Sequence, residues 1–179
     1  TFFMLSERSE GFAKRNALEM CIMQLIDRID RGFKAANFPR KGGLVDGSLS
    51  QQDCGFEVAA DLEYWRDRDP DERLLREMHQ ELRKLSPDAT RWILPHYLRY
   101  SLTEKAKYTR METSFFVLSL VSRSDGDFQQ IAKRLSSMSG EQIECLAKVL
   151  EHLNSESDWS EYMGESIEAA LATLKSLER

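Results

Sequence analysis

The chain has few residues that form disulfide cross-links or interrupt helices and strands: three cysteines, four prolines and nine glycines among 179 residues. Cys21, Cys54 and Cys145 are odd in number and far apart, and the absence of a Cys-x-x-Cys pair excludes a zinc knuckle and a thioredoxin-type motif. Scarce glycine and proline argue against an all-β or disordered chain. We therefore expect reduced thiols and a cytoplasmic location.

Long apolar runs and catalytic motifs are also missing. The apolar run at 115–121 is far too short to span a bilayer, so we predict no membrane association. The three histidines, His79, His96 and His152, form no His-Glu-x-x-His sequence, and no phosphate-binding Gly-x-x-x-x-Gly-Lys loop is present. These absences lead us to predict no bound metal, no cofactor and no enzymatic activity.

Acidic charge is concentrated at the C-terminal end. The net charge is -5, and residues 139–179 alone carry nine acidic and three basic side chains. Such an excess is usually a solvated face, but it also suits a basic partner. Residues 89–110 combine five basic side chains with Trp92, Tyr97, Tyr100 and Tyr108. Because the spacing turns these aromatic rings toward the core and the chain is acidic, we do not expect nucleic-acid binding.

Apolar residues recur at steps of three and four residues through most of the chain, a pattern typical of helices. We predict an all-α fold, with residues 1–179 forming a single domain and a compact bundle of about seven or eight helices. The glycine-containing segment 37–55 is predicted to be the long loop, and residues 139–179 form the acidic C-terminal helices.

Several helix starts are marked by capping sequences. Asp69 before Pro70 and Ser86 before Pro87 place a capping side chain ahead of a proline that suits the first helical turn. Ser139 and Gln142 have the spacing of a capping box, in which each residue satisfies a free backbone N–H of the other.

Pro95 lies in the middle of the helix predicted from "SPDATRWILPHYLRY", residues 86–100. A proline there removes the N–H that would bond the carbonyl of Arg91, at a cost of roughly 3 kcal/mol. The apolar stripe nevertheless continues from Ile93 to Leu98, so we predict that this central helix kinks at Pro95 and does not end there. The kink serves packing, or it presents a carbonyl to a ligand or partner.

The same region carries a family resemblance. "LSPDATRWILPHYLRYSL", preceded by "CGFEVAADLEYW" and followed by "LSSMSGEQIECLAKVLEHL", resembles an uncharacterised bacterial family, a domain of unknown function with a central LSPxAxRxxLPxYL-like segment. The resemblance covers residues from about 20 to 175, with Asp88 where the family has a glutamate. It implies a fold and no established activity.

The first functional hypothesis is a protein that acts by binding a protein partner. Its most concrete form is a bacterial immunity protein, which neutralises a basic-surfaced toxin by covering the toxin's active site. The docking surface is either loop 39–55 or the segment 151–165, and a homodimer is a further option. Within 151–165 the predicted binding residues are Asp158, Trp159, Glu161, Tyr162 and Glu165. Trp159 and Tyr162 would be the anchors, unless they pack the last helix onto the core.

The second hypothesis is a small-molecule or metal-binding domain, perhaps an enzyme, with a pocket near Pro95. The residues predicted to line that pocket are Cys54, Glu57, Trp92, His96 and Tyr100. Cys54, Glu57 and Asp61 share a helix face and could take part in a metal site with a histidine. The simpler reading of Glu57 and Asp61 is a solvated side of the helix, and of Cys54 a structural thiol.

Overall fold

The computed structural model describes residues 2–34, 37–39, 43–47, 53–68 and 70–177, with side chains from residue 16 onward except those of 53 and 54. Over this part of the chain there are α-helices and one isolated β-bridge but no strand, which confirms the predicted all-α class. The helices are α1 (Phe2–Gly32), α2 (Asp53–Glu63), α3 (Glu72–Met78), α4 (Pro87–Ser101), α5 (Glu104–Thr109), α6 (Met111–Leu118), α7 (Asp125–Leu135), α8 (Gly140–Ser155) and α9 (Ser157–Leu177). A short 3₁₀ turn, Leu82–Lys84, precedes α4.

Helix α4 is the centre of the bundle. Ile93, Tyr97 and Leu98 are fully buried, and α4 packs against α1, α3, α5, α6, α7 and α8. The hydroxyl of Tyr97 donates a hydrogen bond of 2.6 Å to the carbonyl of Leu75, which ties α4 to α3. A buried phenol with a backbone acceptor both fills the core and fixes the relative position of the two helices.

The start of α4 forms as the sequence predicts. The Ser86 hydroxyl accepts a hydrogen bond of 3.1 Å from the N–H of Ala89, and Pro87 occupies the first turn. The helix continues through Pro95, which is buried, and ends at Ser101. Packing on several sides therefore sustains a helix through a residue that intrinsically disfavours it.

Helices α8 and α9 form a hairpin that covers another side of the core. Ser139 and Gln142 make the predicted capping box at the start of α8. The hairpin buries Leu146, Leu150 and Ile167. Helix α9 contains a break at Met163, whose φ of -150° and ψ of 27° are not helical.

Two boundaries differ from the sequence prediction. Helix α3 is capped by Asp71 and not by Asp69, because a carboxylate oxygen of Asp71 accepts hydrogen bonds from the N–H groups of Arg73 and Leu74 at 2.8 and 3.4 Å. Pro70 consequently lies outside the helix. Helix α2 begins at Asp53, within the predicted loop 37–55.

The middle of segment 37–55 is held against the core. Leu44 and Val45 are buried, and Val45 forms an antiparallel bridge with Leu85. The N–H of Asp46 donates to the carbonyl of Lys84 at 2.8 Å, and that of Ser86 to the carbonyl of Leu44 at 3.1 Å. Residues 43–47 are thus pinned beside α4. Residues 40–42 and 48–52, the other parts of the loop that we offered as one docking surface, lie outside the described part of the chain.

Candidate functional site

The junction between α5 and α6 turns on one residue, Arg110. Among the non-glycine residues that the structure describes, Arg110 alone has a positive φ, which is 55°. The residue caps the end of α5 and the start of α6. Its N–H donates to the carbonyl of Ala106 at 2.9 Å, and its carbonyl accepts from the N–H of Ser114 at 2.8 Å. The left-handed conformation allows the two short helices to change direction within a single residue.

The Arg110 side chain reaches from this junction to α9. Its guanidinium carbon lies 4.7 Å from the centre of the Tyr162 ring, at cation–π distance. Its Nε donates a hydrogen bond of 2.9 Å to the carbonyl of Lys107, which fixes the guanidinium over the ring. Arg110 therefore joins α5, α6 and α9 at the surface.

Exposed apolar side chains occur at Tyr162 itself and next to Arg110 along the chain. Tyr108 is 85% exposed, Met111 50% and Tyr162 51%. We call Tyr108, Arg110, Met111 and Tyr162 the Tyr162 surface. Aromatic residues, methionine and arginine are the types enriched in the cores of protein interfaces, so this set has the composition of a binding surface.

Four of the five predicted partner-binding residues lie at the surface. Tyr162 belongs to the Tyr162 surface, and the carboxylates of Asp158, Glu161 and Glu165 are exposed on the same helix. The fifth residue, Trp159, is buried in the core, with 1% of its surface exposed. Its ring centre lies 6.3 Å from that of Tyr162, so Trp159 supports Tyr162 from within the core and cannot act as a surface anchor.

Of the residues predicted to line a pocket near Pro95, Trp92 and His96 lie close together, whereas Tyr100 points toward α5. Trp92 is buried edge-on against Phe38, with ring centres 4.9 Å apart. The hydroxyl of Tyr100 instead meets that of Thr109 at 2.7 Å and so points toward α5. His96 is half-buried, 6.1 Å from Trp92 between ring centres.

The remaining residues of that hypothesis give it no support. Glu57 and Asp61 are exposed, in line with the simpler reading of a solvated helix side, and the side chain of Cys54 lies outside the described residues. Burial, and secondarily Arg99, lowers the pKa of His96 to about 4, so its ring is neutral at pH 7. Across the described side chains, no group of three or more histidine, cysteine, aspartate and glutamate residues could hold a metal ion.

A second constellation was not predicted from the sequence. Cys21 on α1 is exposed, and its Sγ lies 3.9 Å from Nδ1 of the buried His152 on α8. Nε2 of His152 lies 3.7 Å from a carboxylate oxygen of Glu156, which also pairs with Lys107 at 3.2 Å. We call Cys21, His152 and Glu156 the thiol–imidazole–carboxylate cluster.

The sequence could not have revealed this cluster in full. His152 and Glu156 are four residues apart at the C-terminal end of α8, a spacing that is visible in the sequence. Cys21 precedes His152 by 131 residues, and only the packing of α1 on α8 brings the thiol to the ring.

Comparison of the chain with family models, with curated proteins and with solved structures finds no match. The resemblance to the family with the LSPxAxRxxLPxYL-like segment therefore stays a prediction. Within the described residues, no helix combines the length and apolar character needed to cross a bilayer.

Proposed function

We propose that this chain binds a protein partner through the Tyr162 surface and the carboxylates of Asp158, Glu161 and Glu165 beside it. The observation that carries the proposal is the contact of Arg110 with the exposed Tyr162 ring, together with the exposed tyrosine and methionine side chains next to Arg110 along the chain. Large apolar side chains exposed together are unusual on a protein surface unless something binds there. Tyr162 is a suitable anchor because Arg110 and Trp159 hold its ring from two sides.

The negative charge beside this surface favours a partner with a basic surface. Asp158, Glu161 and Glu165 are exposed carboxylates, which favour encounter with a basic surface and disfavour nucleic acid. A two-fold homodimer through the same surface would bring the carboxylates of both copies together, which like-charge repulsion opposes. A basic protein is therefore the better occupant, and the most concrete role is that of an immunity protein that covers the active-site cleft of a basic toxin.

The experiment compares three baits in a lysate of the organism that encodes the chain, at low and moderate salt, with partners identified by mass spectrometry. The baits are the wild-type chain, Tyr162→Ala and the matched control Tyr64→Ala. Tyr64 is 47% exposed and has a guanidinium, that of Arg68, 4.1 Å from its ring centre, but it lies in the turn that follows α2. We expect a stoichiometric, salt-sensitive partner with the wild type and Tyr64→Ala, and its loss with Tyr162→Ala.

The purified partner then gives the quantitative test. By titration calorimetry we expect Tyr162→Ala to weaken binding by about 30-fold, the effect of removing a hot-spot tyrosine, and Tyr64→Ala to change it by less than about twofold. If the partner is an enzyme, one equivalent of the chain should abolish its activity. Equal binding by both variants, or self-association as the only interaction, would contradict the proposal.

A further inference from the structure

The thiol–imidazole–carboxylate cluster has the arrangement of an activated nucleophile. A nucleophile needs a base within reach and a third group that orients the base. Here Sγ of Cys21 faces Nδ1 of His152 at 3.9 Å, and Nε2 of the same ring faces Glu156 at 3.7 Å. The two distances are at the long end for hydrogen bonding and ion pairing, as is common for such groups in the absence of a substrate.

The state of the imidazole suits proton acceptance. Burial lowers the pKa of His152; Glu156 opposes this effect and Lys107 adds to it. The ring is therefore largely neutral at pH 7, with one nitrogen free to accept a proton. With the N–H at Nε2 directed toward Glu156, the lone pair at Nδ1 faces the thiol.

The surroundings of the ring supply charges of both signs. Glu156 would stabilise an imidazolium, and the ammonium of Lys107 partly offsets this because it pairs with Glu156 at 3.2 Å and with Glu104 at 2.9 Å. On α1, Cys21 itself faces the ring. Transfer of a proton from the thiol to His152 thus produces an ion pair beside a carboxylate that favours it.

Access distinguishes Cys21 from the other described cysteine. Cys21 is exposed, whereas Cys145 is buried in the core and burial raises the pKa of its thiol. A reagent in solution can therefore reach Cys21 in the folded protein but not Cys145. Exposure together with an adjacent base is the combination that makes a thiol reactive.

We propose that Cys21 is a thiol–disulfide exchange site at which His152 acts as the base and a small-molecule disulfide is the substrate. The proton of the Cys21 thiol passes to Nδ1 of His152, and the thiolate attacks one sulfur of the disulfide. A bond forms between Sγ and that sulfur while the original sulfur–sulfur bond breaks. The departing thiolate takes the proton from His152, so the products are a mixed disulfide on Cys21 and one free thiol.

The experiment follows the reaction of the full chain with dithiobis(nitrobenzoate), an aromatic disulfide whose released thiolate absorbs visible light. Every protein carries Cys54→Ser, because the side chain of Cys54 is outside the described residues. We expect one equivalent of thiolate at pH 7, with the label on Cys21 by peptide mass spectrometry. Repetition with glutathione disulfide tests a physiological member of the same class.

Variants of the base decide the mechanism. His152→Gln should lower the second-order rate constant at pH 7 by at least roughly tenfold, as expected for loss of a general base. Its rate should also depend on pH differently from that of the wild type, because His152 no longer takes the proton. Glu156→Gln should lower the rate by a smaller factor, because that carboxylate acts through the ring. His96→Gln, a half-buried histidine on α4, is the matched control and should leave the rate unchanged.

The outcome that overturns the proposal is an unchanged rate and pH profile in His152→Gln, or a label found on Cys145 and not on Cys21. Circular dichroism establishes that each variant is folded. If His152→Gln does not fold, Glu156→Gln provides the test instead. An unaltered pH profile of the reaction rate in Glu156→Gln would equally exclude the proposed action of the carboxylate on the thiol through the imidazole.

Discussion

At the scale of the residue, Arg134 is the most unusual side chain of the core. It is buried on α7, and its guanidinium donates hydrogen bonds of 2.8 and 2.5 Å to the carbonyls of Leu82 and Ser119. No carboxylate among the described residues lies within ion-pair distance of it. Burial, and secondarily Arg83, lowers its pKa to about 10, so the group is still charged at pH 7. The charge is accommodated because a backbone carbonyl of the 3₁₀ turn and one at the end of α6 accept its protons.

We predict that Arg134→Met lowers the free energy of unfolding by about 3 kcal/mol, because two buried carbonyls lose their donor. Arg83→Met is the matched control. The Arg83 side chain is exposed and donates a hydrogen bond of 2.7 Å to the carbonyl of Leu118, next to Ser119. Because water can replace this donor, we expect Arg83→Met to lower the free energy of unfolding by less than about 1 kcal/mol. Urea denaturation at pH 7 measures both values, and losses of equal size would contradict this account of Arg134.

At the scale of the element, the helix starts are set by short-range chemistry that the sequence displays. In the capping box of α8 the Ser139 hydroxyl accepts from the N–H of Gln142 at 3.3 Å, and the Gln142 side chain accepts from the N–H of Ser139 at 3.0 Å. The amide of Gln142 also donates to the carbonyl of Gly32 at 2.9 Å. The same residue therefore closes the cap and connects α8 to the end of α1.

Replacement of the cap gives a prediction for the element. Ser139→Ala should lower the free energy of unfolding by about 1 kcal/mol, since a free N–H at the start of α8 loses its acceptor. Ser155→Ala, in the last turn of the same helix, removes an exposed hydroxyl and should change stability by less than about 0.5 kcal/mol. Thermal and urea denaturation of both variants test the difference, and a Ser155→Ala effect as large as that of Ser139→Ala would count against the capping box.

Capping residues visible in the sequence were sufficient to predict where some helices begin and insufficient for others. Ser86 and Ser139 each stand alone ahead of a helical stripe, and both caps form as predicted. At the start of α3 the sequence offers two aspartates on either side of Pro70, and only the path of the backbone decides that Asp71 receives the N–H groups. No proline marks the break at Met163 in the sequence, and a glycine, Gly164, follows it directly.

At the scale of the whole molecule, tertiary packing decides what local sequence cannot. Trp159 and Tyr162 are three residues apart and were equally good candidates for a surface anchor. The core takes Trp159 and leaves Tyr162 exposed, because α9 lies on α6 and α8 on that side. Tertiary packing also brings Cys21 and His152, which lie far apart in the sequence, to within 3.9 Å of each other. The fold class was therefore predictable, whereas the membership of each candidate site was only partly so.

Buried neutral histidines couple the stability of the whole fold to pH. His96 has a pKa of about 4 in the folded chain against 6.5 in the unfolded chain. Between these values the unfolded chain binds a proton that the folded chain does not, so the free energy of unfolding falls as the pH is lowered through this window. The lowered pKa of His152 acts in the same direction.

We predict that the wild type loses about 1 kcal/mol more stability than His96→Gln between pH 7 and pH 4.5, a figure reduced for the partial solvent exposure of the ring. Urea denaturation at several pH values measures the difference. Because the carboxylates titrate in both proteins, their contribution cancels in the comparison. Parallel stability curves would show that His96 does not contribute to the acid sensitivity.

The backbone at Arg110 has a consequence for natural variation. Glycine is the residue that adopts a left-handed conformation without penalty, whereas another residue incurs about 1–2 kcal/mol there. The chain nevertheless has an arginine at this turn, and that cost has a functional return if the Arg110–Tyr162 contact serves the proposed binding. Among descendants of this sequence that no longer need the surface, position 110 should drift toward glycine, and Tyr162 should vary with it.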